Sequence, residues 1–352
     1  MIKLKIMEWN IHQQGRQYKN RKSGDGGIPL WIADMIPDDV DVVVFTEFNC
    51  HAQNILEFYV SLTAKGFRYS TTNHSCAWSN DILIAIRVKE IEVKSTSHAK
   101  AYPDIPNTTF DVDWDTVPEN LRVDIRVGEM DIHLWGIRIK DLNSNYKKRK
   151  LEMDTVMHWL EETGGINILV GDFNNLRENT PEQEWNLKVL DDLIGDSFER
   201  ETPSDNHSWG VSLFLNGTFD GYIKNDHLIY SKEVHVTVEP YEWSFLEKYN
   251  YSLKELNFGK KELVIPVGEP DHGILIGKCL AFNDKDFEAT AAYFPNGGKT
   301  YTLEGLLSQI EDDLGYGQED GKIFIEKCIE RGFITECGNI YSIGNRYVPT
   351  NI

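Results

Sequence analysis

The sequence has no apolar run long enough to span a bilayer, so no membrane insertion is expected. It has no basic start followed by an apolar stretch and a small-residue cleavage site. Met1-Ile2-Lys3-Leu4-Lys5-Ile6 instead enters a strand-like segment at once, so no signal peptide is expected. Cysteine is scarce. Cys50, Cys76, Cys279, Cys328 and Cys337 are odd in number, scattered, and never in a Cys-x-x-Cys pair. Zinc fingers and disulfide frameworks fit that pattern badly, and reduced thiols in a cytoplasmic protein fit it best. Internal repeats and low-complexity tracts are absent. Positive charge is short as well: 36 Lys and Arg stand against 56 Asp and Glu, a formal net charge of −20. Such a chain repels polyanions at long range, which argues against tight non-specific nucleic-acid binding. It does not exclude a nuclease, because a divalent cation and a local basic patch invert the potential where a phosphate sits.

What is present is the material of a packed core. The chain has 352 residues, of which 41% are hydrophobic, with nine Trp and 15 Tyr. That length predicts a main domain and a smaller one. Short Val- and Ile-rich runs predict strands over 2–10, 41–47, 82–89, 121–128, 131–140, 167–171, 226–231, 234–240 and 273–280. Helices are predicted over 53–65, 147–163 and 181–194. The second carries Met153, Val156, Met157 and Leu160 on one face. The mixture reads as α/β with several strands not separated by helices. Two loops look like inserts. Residues 12–29 hold a basic cluster, Arg16, Lys19, Arg21 and Lys22, and residues 98–120 are rich in Pro, Asp and Thr.

Beyond about residue 283 the texture changes. Leu303, Leu306, Leu307, Ile310 and Leu314 form one helical face, a second helix follows over about 320–331, and 333–343 predicts a hairpin turning at Gly338-Asn339. Residues 286–352 therefore have the outline of a winged helix, set apart from a domain over 1–282. From Lys285 onward there are 6 Lys and Arg against 11 Asp and Glu. Protein contact or dimerisation is at least as good a use for that domain as reading DNA.

Five segments carry candidate chemistry. Ile168-Leu169-Val170-Gly171-Asp172-Phe173-Asn174 is a strand ending in Gly, with a carboxylate and an amide two residues apart at its mouth. Alone, it is also an ordinary Asx-type turn. Val42-Val43-Val44-Phe45-Thr46-Glu47 is a buried strand ending in a lone acid, which is costly there unless solvated, paired or metal-bound. Ile6-Met7-Glu8-Trp9-Asn10-Ile11-His12 puts an amide at the end of the first strand. Asn225-Asp226-His227 and Pro270-Asp271-His272-Gly273 each set an Asp-His pair before an apolar strand.

In this order the segments resemble the endonuclease/exonuclease/phosphatase superfamily: Asn after the first strand, Glu after the second, Gly-Asp-Phe-Asn, Asp before a late strand, and Asp-His before the last. The resemblance covers roughly 1–282. It implies a four-layer α/β/β/α sandwich of two mixed sheets, with the site at one end, and a metal-dependent hydrolase. It implies that Glu47 holds Mg²⁺ or Mn²⁺ with Asn10 beside it and Asp271 near the metal. Asp172 orients or deprotonates the attacking water, Asn174 holds Asp172 and a phosphate oxygen, His272 binds the phosphate, and Asp226 fixes the His272 tautomer. The physical requirement is the same without the label: an anionic ester needs positive charge on its oxygens and an oriented water.

There is one departure. The strand Met130-Asp131-Ile132-His133-Leu134-Trp135-Gly136-Ile137-Arg138 resembles a family strand that often ends in a catalytic His, and here Arg138 takes that place. A guanidinium cannot act as a general acid, its pKa exceeding about 12, but it can clamp a phosphate. This puts the two-histidine deoxyribonuclease mechanism in doubt. Asn80, with Asp81, leads a strand near the site, and either residue can touch substrate or make a turn. Trp209 can wall the site, although a core Trp is the commoner outcome. Among activities, a nuclease is favoured, with Arg16 and Lys19 along the nucleic-acid backbone. A phosphatase or phosphodiesterase on a small phosphate is the alternative, and a silent interaction protein the third.

Overall fold

A computed structural model of the chain describes residues 1–12, 27–72, 80–87, 91–99, 117–140, 146–175, 185–204, 207–209, 214–215, 218–219, 223–248, 255–258, 261–264, 270–294 and 298–344. Arg16, Lys19, Arg21 and Lys22, and most of the 98–120 insert, lie outside the described residues.

The strand Val42–Phe48 is buried at every position. A strand with no polar face must sit inside a sheet covered on both sides. Its sheet has six strands, in the order Val234–Val238, Leu275–Ala281, Ile2–Asn10, Val42–Phe48, Asp81–Arg87 and Phe67–Thr71. Ile2–Asn10 runs parallel to Val42–Phe48, which runs antiparallel to Asp81–Arg87. The second sheet is also mixed and six-stranded: Ile91–Ser97, Glu119–Val127, Met130–Arg138, Ile166–Asp172, Asp226–Ser231 and Phe198–Glu201. Met130–Arg138 and Ile166–Asp172 are parallel, and the other neighbouring strands of this sheet pair antiparallel.

Helices cover the outer faces. Ile55–Ala64 buries Phe58 and Leu62 in one cluster with Val43, Phe45 and Phe48. Tyr146–Thr163 buries Met153, Val156, Met157 and Leu160 against Trp135, Ile137 and Leu169. The inner faces meet closely. A Cβ on Gly136 would fall 2.7 Å from Ile82 Cγ2 and 3.0 Å from Val44 Cγ1, so only glycine fits between the sheets there. The layers are thus α/β/β/α. Among the described residues no helix is long and apolar enough to cross a membrane.

Three strands of the two six-stranded sheets were not predicted: Phe67–Thr71, Ile91–Ser97 and Phe198–Glu201. All three lie at sheet edges. Ile91–Ser97 is exposed at most positions, so its sequence carries no apolar run.

The contacts divide the chain into two compact units. The larger is Leu4–Ser231 with Thr237–Lys278, and the smaller is Met1–Lys3, Lys232–Val236 and Cys279–Ile352. The smaller unit holds the helices Asp284–Thr290, Leu303–Leu314 and Gln318–Glu330 and the hairpin Ile334–Cys337 with Ile340–Ile343. Leu306, Leu307 and Ile310 are buried with Phe282, Phe287 and Phe324. The Thr302 hydroxyl caps the second of these helices by accepting from Gly305 N, and Gly315 closes it at φ 70.

Candidate active site

The larger unit brings the chemistry-bearing strand ends together at one end of the sandwich. Register does much of this. Glu119 pairs with Arg138, Arg138 with Asp172, and Asp172 with Asp226, a polar row across four adjacent strands. Partners in register share a face, and here that face is the one turned to the other sheet. Asn10 comes from the facing sheet, opposite Thr46.

Asp172 is 1% exposed and held on both oxygens. Asn174 N donates to Oδ1 at 2.8 Å, and Asn174 Nδ2 and Asn10 Nδ2 donate to Oδ2 at 3.1 and 2.9 Å. The turn is possible because residue 171 is glycine: a Cβ there would lie 1.8 Å from Ile137 O. Asn174 itself stands at φ 46, and Arg149 Nη1 donates to its carbonyl. Burial pushes the Asp172 carboxyl up to about 7, and Asp226 adds to the rise.

His272 Nδ1 lies 2.9 Å from Asp226 Oδ2, and Trp9 Nε1 donates to the His272 carbonyl at 2.9 Å. Burial alone would push the imidazole down, but the Asp226, Asp172 and Asp271 carboxylates carry it well above its ordinary range. Asp172, Asp226 and His272 offer ligand atoms within 4.8 Å of one another, and all three are buried. Among the described residues this is the grouping with metal-ligand spacing.

The two Asp-His pairs are split. Asp226 and His272 join each other. His227 turns away, its ring nitrogens 2.7 Å from Thr202 Oγ1 and 2.7 Å from Asn175 Oδ1. Asp271 faces His12 Nδ1 at 3.0 Å and accepts from Trp209 Nε1 at 3.2 Å. Burial opposes ionisation of Asp271, but the His12 and His272 side chains hold its carboxyl well below the usual range.

Glu47 stands at φ 48 and His12 at φ 50. With Asn174 these are the non-glycine residues of positive φ among those described, and all three lie at this site. Arg138 Nε and Nη2 both reach Glu47 Oε1, at 2.9 and 2.6 Å, and Nη1 lies 3.3 Å from Glu119 Oε1. Burial works against ionisation of Glu47, yet Arg138 and then His12 bring its carboxyl below the ordinary value.

A cavity of about 350 Å³ opens here, lined by His12, Glu47, Arg138, Asn174, Asp271 and His272, with Tyr146, Arg149, Asn175, Trp209, Ile223 and Asn225. Trp209 is half-buried on this wall rather than in the core. Asn80 is buried and does not line it. Asn10 has both ends of its amide engaged, Nδ2 on Asp172 and Oδ1 accepting from His12 N at 2.9 Å. It is therefore placed to position Asp172. The donors suit a hard divalent cation: the Glu47 and Asp271 carboxylates face one cavity, and the buried oxygens Asp226 Oδ1 and Asn225 Oδ1 take no hydrogen bond among the described residues.

Sequence reasoning missed His12, Glu119 and the depth of Glu8. Glu8 is fully buried, accepts from Thr46 Oγ1 at 3.0 Å, and is pushed up by burial and then by Asp226 and Asp172. The strand parity of Glu8 with Asn10 was its available signal.

No protein-family model and no curated protein sequence matches the chain. Solved structures do. An endonuclease/exonuclease/phosphatase family protein from Bacteroides thetaiotaomicron aligns with TM-score 0.53 and 14% identity over 81% of this chain and 96% of that one. A mannosyl-6-phosphatase from the same organism aligns with TM-score 0.53 and 14% identity over 79% and 99%. ANGEL2, a 2',3'-cyclic phosphatase solved with adenosine-2',3'-vanadate, aligns with TM-score 0.51 and 11% identity over 79% and 95%. The chain has the endonuclease/exonuclease/phosphatase fold.

Proposed function

We propose that the chain is a divalent-metal-assisted phosphoesterase. The observation that carries the reading is geometric: Asp172 is fixed by Asn10 and Asn174 beside an imidazole fixed by Asp226. Burial raises that carboxyl, which favours its taking a proton from water. Asp172 orients the water and accepts its proton as the water oxygen attacks phosphorus and the ester oxygen departs. The Asp226 carboxylate holds His272 Nδ1, so the other ring nitrogen is left to donate to a phosphate oxygen as its charge grows. Glu47 and Asp271 would hold Mg²⁺ or Mn²⁺, which when bound supplies positive charge to the phosphate oxygens.

The substrate we favour is a small phosphate ester. The net charge of −20 supports it, and two of the structures similar to this chain are named as a mannosyl-6-phosphatase and a 2',3'-cyclic phosphatase. Nucleic acid is the second reading, supported by Arg16, Lys19, Arg21 and Lys22 in the sequence. Residues 286–352 we read as a winged-helix-like domain for protein contact or dimerisation, supported by their helix–helix–hairpin order and acidic balance. A cytoplasmic setting is supported by the free Cys50, Cys279, Cys328 and Cys337.

The test is a panel with Mg²⁺ or Mn²⁺: sugar phosphates, nucleoside monophosphates, cyclic phosphates, and single- and double-stranded nucleic acid. Turnover of small esters alone is expected, falling at least about 100-fold in Asp172→Asn. Turnover of polymers alone would select the second reading, and full activity of Asp172→Asn would refute the assigned base.

A further inference from the structure

Arg138 is not disposed as a free phosphate clamp. Its Nε and Nη2 converge on one oxygen, Glu47 Oε1, and Nη1 reaches Glu119. Asp172 Oδ2 lies 3.7 Å from Nε. One guanidinium, 7% exposed, therefore faces three carboxylates exposed by 8%, 0% and 1%. Among the described residues no hydrogen bond reaches the other oxygen of Glu47, Oε2, and that carboxylate lines the cavity.

We propose that Arg138 is a built-in counter-ion that competes with the divalent cation for the Glu47 carboxylate and so sets how tightly the site takes metal. The proposal rests on the reading of Glu47 as a metal-holding residue. A buried acid without a counter-charge is expensive, and Arg138 removes that cost before any cation arrives. The same fixed positive charge then opposes a second cation a few ångströms away, where solvent screens little. Glu119 tunes the contest. It is fully buried beneath the guanidinium and draws on Nη1, so its negative charge offsets part of the repulsion. Metal affinity is thereby set by a residue that need not be a ligand.

The experiment is a Mn²⁺ titration of the full chain without substrate, following free Mn²⁺ by electron paramagnetic resonance, with thermal melting as the folding control. Wild type is expected to bind, and Glu47→Gln to lose that binding. Arg138→Gln should bind at least about ten-fold tighter than wild type, because a like charge has been removed from the cation's surroundings. Arg138→Lys, which keeps the charge, should stay within about three-fold of wild type. Glu119→Gln should bind more weakly, and this near-isosteric variant carries the test if Arg138→Gln does not fold. Equal or weaker binding by a folded Arg138→Gln, or equal or tighter binding by Glu119→Gln, overturns the proposal while leaving the phosphoesterase reading intact. Absence of Mn²⁺ binding by wild type would overturn both.

Discussion

At the scale of single residues, the site is a set of side chains whose partners decide their chemistry. The two histidines of the Asp-His pairs illustrate this. His272 is drawn toward its charged form by the carboxylates around it. His227, packed between Thr202 and Asn175, is driven well below its ordinary value by burial, with Arg200 and Lys224 adding to the effect. The native state therefore keeps His227 neutral, while the unfolded chain protonates it below about pH 6.5. In that range the unfolded state binds more protons, so His227 makes stability fall as pH drops below about 6.5, by up to about 1.4 kcal/mol per pH unit. His227→Gln should flatten the acid side of the melting-temperature profile between about pH 6.5 and 5 relative to wild type. An unchanged slope would mean that His227 is not buried neutral. The residues alone do not show this division, since Asp226-His227 and Asp271-His272 look alike; the family resemblance is what joined Asp226 to His272. Only the fold decides which member of each pair turns inward.

At the scale of elements, the inner strands were legible because burial on both faces writes a continuous apolar run. Ile2–Asn10 begins and ends where its residues predict. The edges Phe67–Thr71, Ile91–Ser97 and Phe198–Glu201 were not, because a strand with one open side and exposed side chains carries no such run. The ends of strands, and so Asn10, Glu47, Asp172 and Asp226, were legible as well. Cross-strand register was not, and register is what sets Glu119 beside Arg138 and Arg138 beside Asp172. Gly171 marks where these two levels meet. Its neighbour across the parallel pair is Ile137, whose carbonyl occupies the space a side chain would need. Since the obstructing atom belongs to the backbone, no rotamer change relieves the clash. Gly171→Ala should cost on the order of 3 kcal/mol and lower the melting temperature by several degrees. A variant melting within about 1 °C of wild type would show that the two strands are not so close.

At the scale of the whole molecule, the smaller unit is not the C-terminal segment alone. It takes in Met1–Lys3 and Lys232–Val236, and Lys3 pairs with Asp320 at 2.8 Å. Its aromatic core is centred on Phe282, fully buried, with ring centroids of Phe287, Tyr316 and Phe324 at 6.1, 5.8 and 5.2 Å. Leu280 and Met1 pack on the same cluster. A sequence boundary near residue 284, drawn where composition changes, would pass through this core rather than beside it. Uncovering Phe282 alone forfeits roughly 1.5–3 kcal/mol, and Leu280 and Met1 add to the loss. A chain ending at Asn283 should therefore melt well below the full chain, bind a hydrophobic dye, and self-associate on a sizing column. If it stays monomeric and melts as the full chain does, Phe282 needs no cover from the helices that follow, and the segment beyond Asn283 is an independent appendage.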